Sequence, residues 1–179
     1  DYAFTINDRE VHRSDIIRTR VYPHQLVREY ANGFTETVTL LDSVNALLIE
    51  LDSIPGRKVT FRPFYSDIHS REEIYMKEEY GIVVIGRENH RNATAEEPYP
   101  GWIAVGLSPG VSFSFAFYGD QIAGNSYSPV AISSAVAARH YAILVGAGGT
   151  GLEAYTTVSS ILKEYPAWVA RRKARIEGM

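Results

Sequence analysis

The stretch AILVGAGGTGLEAYTTVSSILKEYPAWVARRKARIEGM, from Ala142 to Met179, decides the predicted fold. It begins as an apolar strand, passes through a glycine-rich turn and continues as an amphipathic helix rich in Arg and Lys. The residues before it form short alternating or apolar runs separated by turn signals, a pattern typical of antiparallel strands. We therefore predict a mainly β protein, with an antiparallel β-sandwich over residues 1–149 and a C-terminal helical linker over residues 150–179.

The glycine turn satisfies the spacing G-x-G-x-x-G at Gly146, Gly148 and Gly151. This spacing occurs where a strand and a helix hold a dinucleotide phosphate, but such a site also needs a second strand with an acidic residue after the helix. No such strand follows in this sequence. We therefore expect no cofactor here, and a tight turn in which Thr150 and Glu153 form a capping box at the start of the helix.

The helical segment has the 3.6-residue period of an amphipathic helix. Its predicted apolar face contains Leu152, Tyr155, Ser159 and Leu162, with Val158 and Ile161 beside it. Pro166 predicts a stop or kink after Tyr165. A basic helix of this kind contacts a membrane or an acidic partner in some proteins, and in others it is a solvated surface around a residue such as Trp168. We instead expect its apolar stripe to be exposed in this chain and to pack on a following domain.

Composition restricts the class of protein and its partners. The chain has 179 residues, 22% of them charged, which fits one globular domain with a substantial core. The net charge of −3 argues against nucleic acid as a main partner. The lack of cysteine excludes disulfides, Cys-ligated zinc and thiol catalysis. No apolar run is long enough for a membrane helix, so we expect no membrane partner. The compartment stays open, since the bacterial periplasm and the cytoplasm both fit.

No group of residues predicts a catalytic or metal site. Asp67 and His69 share a strand face and with His90 offer metal-ligand chemistry, but two neighbouring ligands do not define a site. We expect no Ser-His-Asp hydrolase site in this sequence. The remaining histidines are interpreted as structural or exposed: His12, His24 and His140. Adjacent carboxylates diverge on a strand or helix and are interpreted as surface pairs: Glu72–Glu73, Glu78–Glu79 and Glu96–Glu97.

Aromatic residues provide the candidate binding site. Sugars have flat C–H faces that stack on aromatic rings, and this chain has 12 tyrosines. Four aromatic residues border the two long polar loops and are predicted carbohydrate contacts: Tyr99, Trp102, Tyr118 and Tyr127. The alternative for each is ordinary packing at a strand end. A second aromatic group alternates along one predicted strand and is expected in the core: Phe113, Phe115 and Phe117.

Two segments resemble a known family. They are VYPHQLVREYANGFTETVTLLDSVNALLIELDS (residues 21–53) and HYAILVGAGGTGLEAYTTVSSILKEYPAWVARRKARIEG (residues 140–178). Both are similar to the N-terminal β-sandwich of six-hairpin (α/α)-barrel glycoside hydrolases of the glycogen-debranching, glucoamylase and α-glucosidase kind. The resemblance implies a supersandwich-like fold whose helices lead into a barrel after Met179. In that family the general acid and base lie on barrel loops, so the resemblance transfers no catalytic residue to this chain.

The resulting functional prediction is a non-catalytic N-terminal domain of a glycoside hydrolase acting on α-glucan or related oligosaccharides. Its expected partners are its own catalytic domain, beyond Met179, and an oligosaccharide. Two alternatives remain open. One is a free-standing carbohydrate-binding module that uses Trp102, and the other is a small sugar-modifying enzyme, such as an epimerase, with His69 or His90 as base.

Overall fold

The computed structural model describes residues 2–63, 65–66, 74–87, 101–108, 114–116, 121–122, 126–127, 130–134 and 136–179. Two helices follow the strands: α1 (Gly151–Leu162) and α2 (Tyr165–Glu177). A 3-10 turn covers Arg13–Asp15. The strands of the described residues are β1 (Tyr2–Ile6), β2 (Arg9–Glu10), β3 (Ile16–Val21), β4 (Leu26–Tyr30), β5 (Thr35–Leu40), β6 (Ala46–Arg57), β7 (Val59–Pro63), β8 (Tyr65–Ser66), β9 (Ile74–Glu79), β10 (Ile82–Arg87), β11 (Trp102–Ser108), β12 (Ser114–Ala116), β13 (Gln121–Ile122), β14 (Ser126–Tyr127), β15 (Ala131–Ser133) and β16 (Ala138–Gly148).

The strands form antiparallel sheets, as the alternating sequence pattern predicts. The large sheet has eight strands in the order β3-β4-β5-β6-β16-β11-β10-β9, and the smaller sheet has five in the order β12-β15-β7-β1-β2. A third, three-stranded sheet has the order β13-β14-β8. Every pairing among the described strands is antiparallel. The predicted mainly β sandwich with C-terminal helices is confirmed.

The sandwich core lies between the large and the smaller sheets. Phe4 of β1, Phe61 of β7 and Ile132 of β15 come from the smaller sheet and are at most 4% exposed. They join one cluster with buried side chains of the large sheet, including Ile49 and Ile143. Apolar contacts across this interface therefore hold the two layers together.

A second core lies on the opposite face of the large sheet, under α1. Alternate residues of β6 and β16 point to the two cores, because side chains alternate across a strand. Ile49 and Ile143 belong to the sandwich core, whereas Leu48 and Leu144 pack with Val158 of α1. Burial on both faces explains the nearly continuous apolar run in β6. β6 lies between β5 and β16, in the interior of the large sheet.

Glycines let α1 lie close to the large sheet. A Cβ added at Gly146 would lie 2.7 Å from a methyl carbon of Val158, and one at Gly148 would lie 2.8 Å from the backbone nitrogen of Ala154. A Cβ at Gly106 would lie 2.9 Å from Val158. The glycine spacing that formally matches a nucleotide-binding turn therefore serves close strand–helix packing.

The start of α1 has the predicted capping box. The Glu153 backbone N–H donates to Thr150 Oγ1 at 3.2 Å, and the Thr150 backbone N–H donates to Glu153 Oε2 at 3.2 Å. The Gly149 N–H also donates to this carboxylate, at 2.9 Å. These bonds satisfy donors that the first turn of a helix leaves without intrahelical partners.

The predicted apolar face of α1 is partly wrong. The fully buried residues are Ala154, Val158 and Ile161, whereas Leu152 is 74% exposed. The expected exposed stripe is also wrong for α1, because this chain's own sheet covers the buried face. The prediction relied on large apolar residues and left out Ala154. Ala154 is nevertheless fully buried, because a glycine in the sheet lets the helix approach closely at this point.

The predicted break at Pro166 is confirmed, since α1 ends at Leu162 and α2 begins at Tyr165 with proline in its first turn. α2 contains no fully buried residue. Its half-buried aromatic and apolar side chains still pack against the second core, at Tyr165, Trp168 and Val169. α2 therefore lies on the surface of the domain, with one side packed against the second core.

Candidate functional site at the junction of the large sheet and the C-terminal helices

The structure describes two of the four predicted sugar contacts. Trp102 is half-buried in the second core, and a Cβ added at Gly86 or Gly151 would lie 2.2 or 3.0 Å from its indole. This position gives Trp102 a packing role, and its contact with sugar stays a prediction. Tyr127 lies in β14 of the third sheet and pairs with Tyr65. Other sequence candidates fall outside the described residues: Tyr99, Tyr118, Phe113, Phe117, Asp67, His69 and His90.

The fold instead brings together several polar residues that are far apart in the sequence. Glu50 and Asp52 are two apart on β6 and therefore share a face. His140 of β16 pairs directly with Asp52 in the sheet, next to an irregularity in strand register. His140 Nδ1 lies 2.7 Å from Asp52 Oδ1, and His140 Nε2 lies 3.9 Å from Glu50 Oε1. One imidazole thus contacts two carboxylates on the neighbouring strand.

The first residue of α2 completes this group, which we call the junction cluster (Glu50, Asp52, His140 and Tyr165). The Tyr165 hydroxyl lies 3.1 Å from His140 Nε2. The two rings are stacked, with centroids 6.5 Å apart and planes inclined by 16°. Because Asp52 holds the other imidazole nitrogen, it fixes the ring orientation that Tyr165 meets.

Burial shifts the acid–base properties of the junction cluster. It raises the pKa of Glu50, because the carboxylate loses water; His140 opposes this shift and Asp52 adds to it. The pKa of Tyr165 is also raised, first by burial and then by Glu50 and Asp52. Glu50 thus keeps its proton to higher pH than an exposed glutamate does. Chemically, the group can share protons along a short chain from Asp52 through His140 to Tyr165.

A second set of contacts holds the middle of α2. Arg172 Nε donates to the backbone oxygen of His24 at 3.0 Å, and its Nη1 donates to Asp42. Arg175 lies 3.6 Å from the same Asp42 carboxylate, but its side chain is 64% exposed. His24 and Asp42 lie in the turns that join β3 to β4 and β5 to β6. Arg172 therefore ties α2 to the turns at one end of the large sheet.

A third polar group lies inside the sandwich, between β1 and the large sheet. Glu36 is fully buried and accepts hydrogen bonds from Tyr2, from Tyr30 at 2.7 Å and from Arg28 Nη1 at 3.1 Å. Burial, followed by contact with Glu36, raises the pKa of both Tyr2 and Tyr30. Arg28 and Glu36 are a cross-strand pair of β4 and β5. The carboxylate thus joins the two sheets through three partners on two strands, β1 and β4.

Within the described ranges, no cluster of three or more His, Cys, Asp or Glu has the arrangement of a metal site. In the same part of the chain, no helix has both the length and the apolar character needed to cross a membrane.

The sequence contained one signal for the junction cluster, the i, i+2 spacing of Glu50 and Asp52. What it lacked was the pairing of β6 with β16.

Known structures share this fold. No protein-family model matches the sequence, and no curated protein does. An inverting mannosidase of family GH92 from Bacteroides thetaiotaomicron matches 97% of the chain with a TM-score of 0.58 at 10% identity. A GH92 α-mannosidase from the same organism matches 97% with a TM-score of 0.55 at 7% identity. A protein proposed to be a kojibiose phosphorylase, from the human microbiome, matches 99% with a TM-score of 0.53 at 8% identity. The chain spans only 25%, 28% and 27% of these three proteins, respectively. At such identities the likeness establishes a common fold.

Proposed function

We propose that this chain is a non-catalytic β-sandwich domain of a larger carbohydrate-active enzyme, a glycoside hydrolase or a related phosphorylase. In this proposal it precedes the catalytic domain, packs on it and shapes its substrate cleft. The names of the three matching structures support the enzyme class. The lengths of these proteins support a separate catalytic domain, since nearly all of this chain corresponds to only about a quarter of each matching protein.

The attachment of α2 is the observation that carries the proposal. The junction cluster holds the first turn of α2, and Arg172 holds its middle through His24 and Asp42. α2 nevertheless has no fully buried residue, so much of its surface is available to another domain. A helix fixed at two points on a rigid sheet delivers the following chain in a defined direction. A flexible linker would leave that direction free.

The acid–base groups of the junction cluster have a structural explanation within this proposal. His140 is engaged by Asp52 and Tyr165, and Glu50 is half-buried beside it. These contacts orient α2, and the glycosidic bond is cleaved elsewhere, in the catalytic domain. The expected oligosaccharide partner binds at that domain's cleft, with Trp102 and Tyr127 as the predicted contributors from the described part of this chain.

The test compares this chain with the full protein encoded by its reading frame. We expect the 179-residue chain alone to release no sugar from maltose, isomaltose, kojibiose or α-mannobiose, with water or with phosphate as acceptor. We expect the full protein to be active on an α-linked saccharide. In the full protein, Arg172→Met should lower activity and thermal stability more than the matched change Arg175→Met. Turnover by the chain alone, or a reading frame without a catalytic domain, would refute the proposal.

A further inference from the structure

The large sheet has an exposed apolar surface at the end where turns join β3 to β4 and β5 to β6. We call it the turn end and define it by Val21, Tyr22, His24, Leu40 and Asp42. Val21 is 79% exposed, Leu40 is 60% exposed and Tyr22 is 39% exposed. Single exposed apolar residues are ordinary on protein surfaces, but these three lie together at one end of strands β3, β4 and β5. Such a group marks a candidate interaction surface.

The strand register connects Val21 and Leu40 to the edge of the sandwich core. Val21 pairs with Leu26 and Leu26 pairs with Val38, so these three residues share one face of the sheet. Leu40 follows two positions after Val38 on the same face and pairs with Leu47. Val38 and Leu47 pack against the sandwich core, whereas Val21 and Leu40 are exposed. The apolar face of the core thus continues outward to the turn end.

The smaller sheet covers the far end of this face. Phe4 of β1 contacts Tyr30 and Phe34, with ring centroids 6.3 and 5.9 Å apart, respectively. Tyr30 ends β4 and Phe34 precedes β5, so both lie at the far end of these strands from the turn end. β1 therefore packs over the far end, and Val21 and Leu40 stay accessible.

The turn that contains Tyr22 has a fixed conformation. The Tyr22 backbone N–H donates to the backbone oxygen of Gln25 at 2.8 Å, and the Gln25 N–H donates to the backbone oxygen of Tyr22 at 3.3 Å. The rings of Tyr22 and His24 are stacked, with centroids 5.8 Å apart. The backbone oxygen of His24 also accepts a hydrogen bond from Arg172 of α2. Because this surface is preorganised, a partner loses little free energy in ordering it.

α2 packs on the opposite face of the large sheet and runs toward the turn end. Its first residue, Tyr165, contacts His140, which lies near the start of β16 at the far end of the sheet. Arg172 contacts residues of the turn end. The remaining part of α2, from Arg172 to Glu177, adds about 8 Å in the same direction. α2 therefore ends beside the turn end.

We infer that the turn end, together with the end of α2, is the surface on which the following catalytic domain packs. This inference rests on the proposed function, which supplies that domain, and adds the place of contact. A chain that leaves α2 starts beside the turn end, so contact there closes only a short loop and needs little chain entropy. Interfaces between domains of one chain combine apolar and polar surface. Val21, Tyr22 and Leu40 supply the apolar part, and Asp42 with the exposed Arg175 supplies the polar part.

Thiol labelling tests the inference, because the 179-residue chain has no cysteine of its own. Val21→Cys and Leu40→Cys each place one thiol at the turn end. Ile17, 69% exposed near the start of β3, provides the matched control Ile17→Cys at the far end of the same strand. Each variant is made in the 179-residue chain and in the full protein encoded by its reading frame. Reaction with a maleimide is then followed by peptide mass spectrometry.

The labelling rates have a defined expected pattern. Val21→Cys and Leu40→Cys should react about tenfold more slowly in the full protein than in the chain alone, because the core of an interface excludes water. Ile17→Cys should react equally fast in both proteins.

A charge placed in the interface provides a second measurement. Leu40→Asp, added to Val21→Cys in the full protein, should restore fast labelling, because an unpaired charge is costly in a dry interface. Ile17→Asp is the matched control and should leave the protection of Val21→Cys unchanged. Leu40 and Ile17 are both exposed, so the thermal midpoint of the 179-residue chain should stay close to that of the wild type in either variant.

The outcomes separate this inference from the proposed function. Equal labelling of Val21→Cys and Leu40→Cys in the chain and in an active full protein would overturn the inference and leave the proposed function standing. Protection in the chain alone that grows with its concentration would also overturn it, since a second copy would then cover the turn end. A reading frame without a catalytic domain would instead refute the proposed function, and this inference with it.

Discussion

His140 Nε2 and the Tyr165 hydroxyl lie 3.1 Å apart and connect β16 of the large sheet to the first residue of α2. The residues are 25 positions apart, and the whole of α1 lies between them. Asp52 holds the opposite nitrogen of the same imidazole at 2.7 Å. The start of α2 is thus fixed to two neighbouring strands through one ring.

Removing the Tyr165 hydroxyl should loosen α2 while leaving the sandwich intact. We expect Tyr165→Phe to cost about 1 kcal/mol of unfolding free energy, because one half-buried hydrogen bond is lost and the ring stays. Hydrogen exchange followed by mass spectrometry should show faster exchange in residues 165–177. Tyr155→Phe, a half-buried tyrosine of α1, is the matched control. Unchanged exchange in α2 of Tyr165→Phe would mean that other contacts hold the helix.

Glu50 should make stability depend on pH in a defined direction. Its pKa is raised above the ordinary value of 4.5, so the folded state keeps the proton after the unfolded state has lost it. The unfolding free energy should therefore fall as the pH rises from about 4.5 through the raised pKa. Glu50→Gln should flatten this part of the profile and make the variant more stable than the wild type at pH 7.

Urea unfolding between pH 4 and pH 8 measures the Glu50 effect. Asp52→Asn is the comparison, since this more exposed carboxylate contacts the same imidazole. If wild type and Glu50→Gln have parallel pH profiles, desolvation of Glu50 does not contribute to stability in this range.

Close packing of α1 should make Gly148 intolerant of even one methyl group. Its added Cβ would lie 2.8 Å from the backbone nitrogen of Ala154, and a helix backbone moves only as a whole. We expect Gly148→Ala to lower the unfolding free energy by about 1–3 kcal/mol, as overpacking usually does. Gly101→Ala is the matched control, because a Cβ there meets nothing within 4 Å. Equal thermal midpoints for the two variants would contradict the packing role.

Local signals predicted the parts of this fold that depend on neighbouring residues. The capping box of Thr150 and Glu153 and the break before Pro166 each follow from a few adjacent positions. Their physical causes act over about one turn of helix, so the sequence contains them directly.

Long-range pairings were hidden from the sequence, and the polar sites depend on them. His140 and Asp52 are 88 residues apart, and Tyr2 and Glu36 are 34 apart. Glu36 is fully buried although it is a carboxylate. Tyr2 of β1 supplies one donor to this carboxylate, and Tyr30 and Arg28 of the neighbouring strand β4 supply two more.

Glu36 offers the sharpest test of the contacts between the sheets. Its carboxylate accepts hydrogen bonds from Tyr2, Arg28 and Tyr30, so Glu36→Gln places an amide donor against other donors. We expect a loss of about 2–4 kcal/mol in unfolding free energy, because Arg28 is left beside a partner without charge. Glu29→Gln, in surface ion pairs with Arg18 and Arg20, should cost less than about 1 kcal/mol.

The double variant Arg28→Met/Glu36→Met separates charge from packing. Replacing both partners of a buried pair by apolar residues of similar size removes the uncompensated charge. We therefore expect the double variant to be more stable than Glu36→Gln in urea unfolding, although it loses the hydrogen bonds from both Tyr2 and Tyr30, whereas the Gln carbonyl oxygen keeps one of them. If Glu36→Gln matches the wild type within about 0.5 kcal/mol, the buried carboxylate does not hold the sheets together.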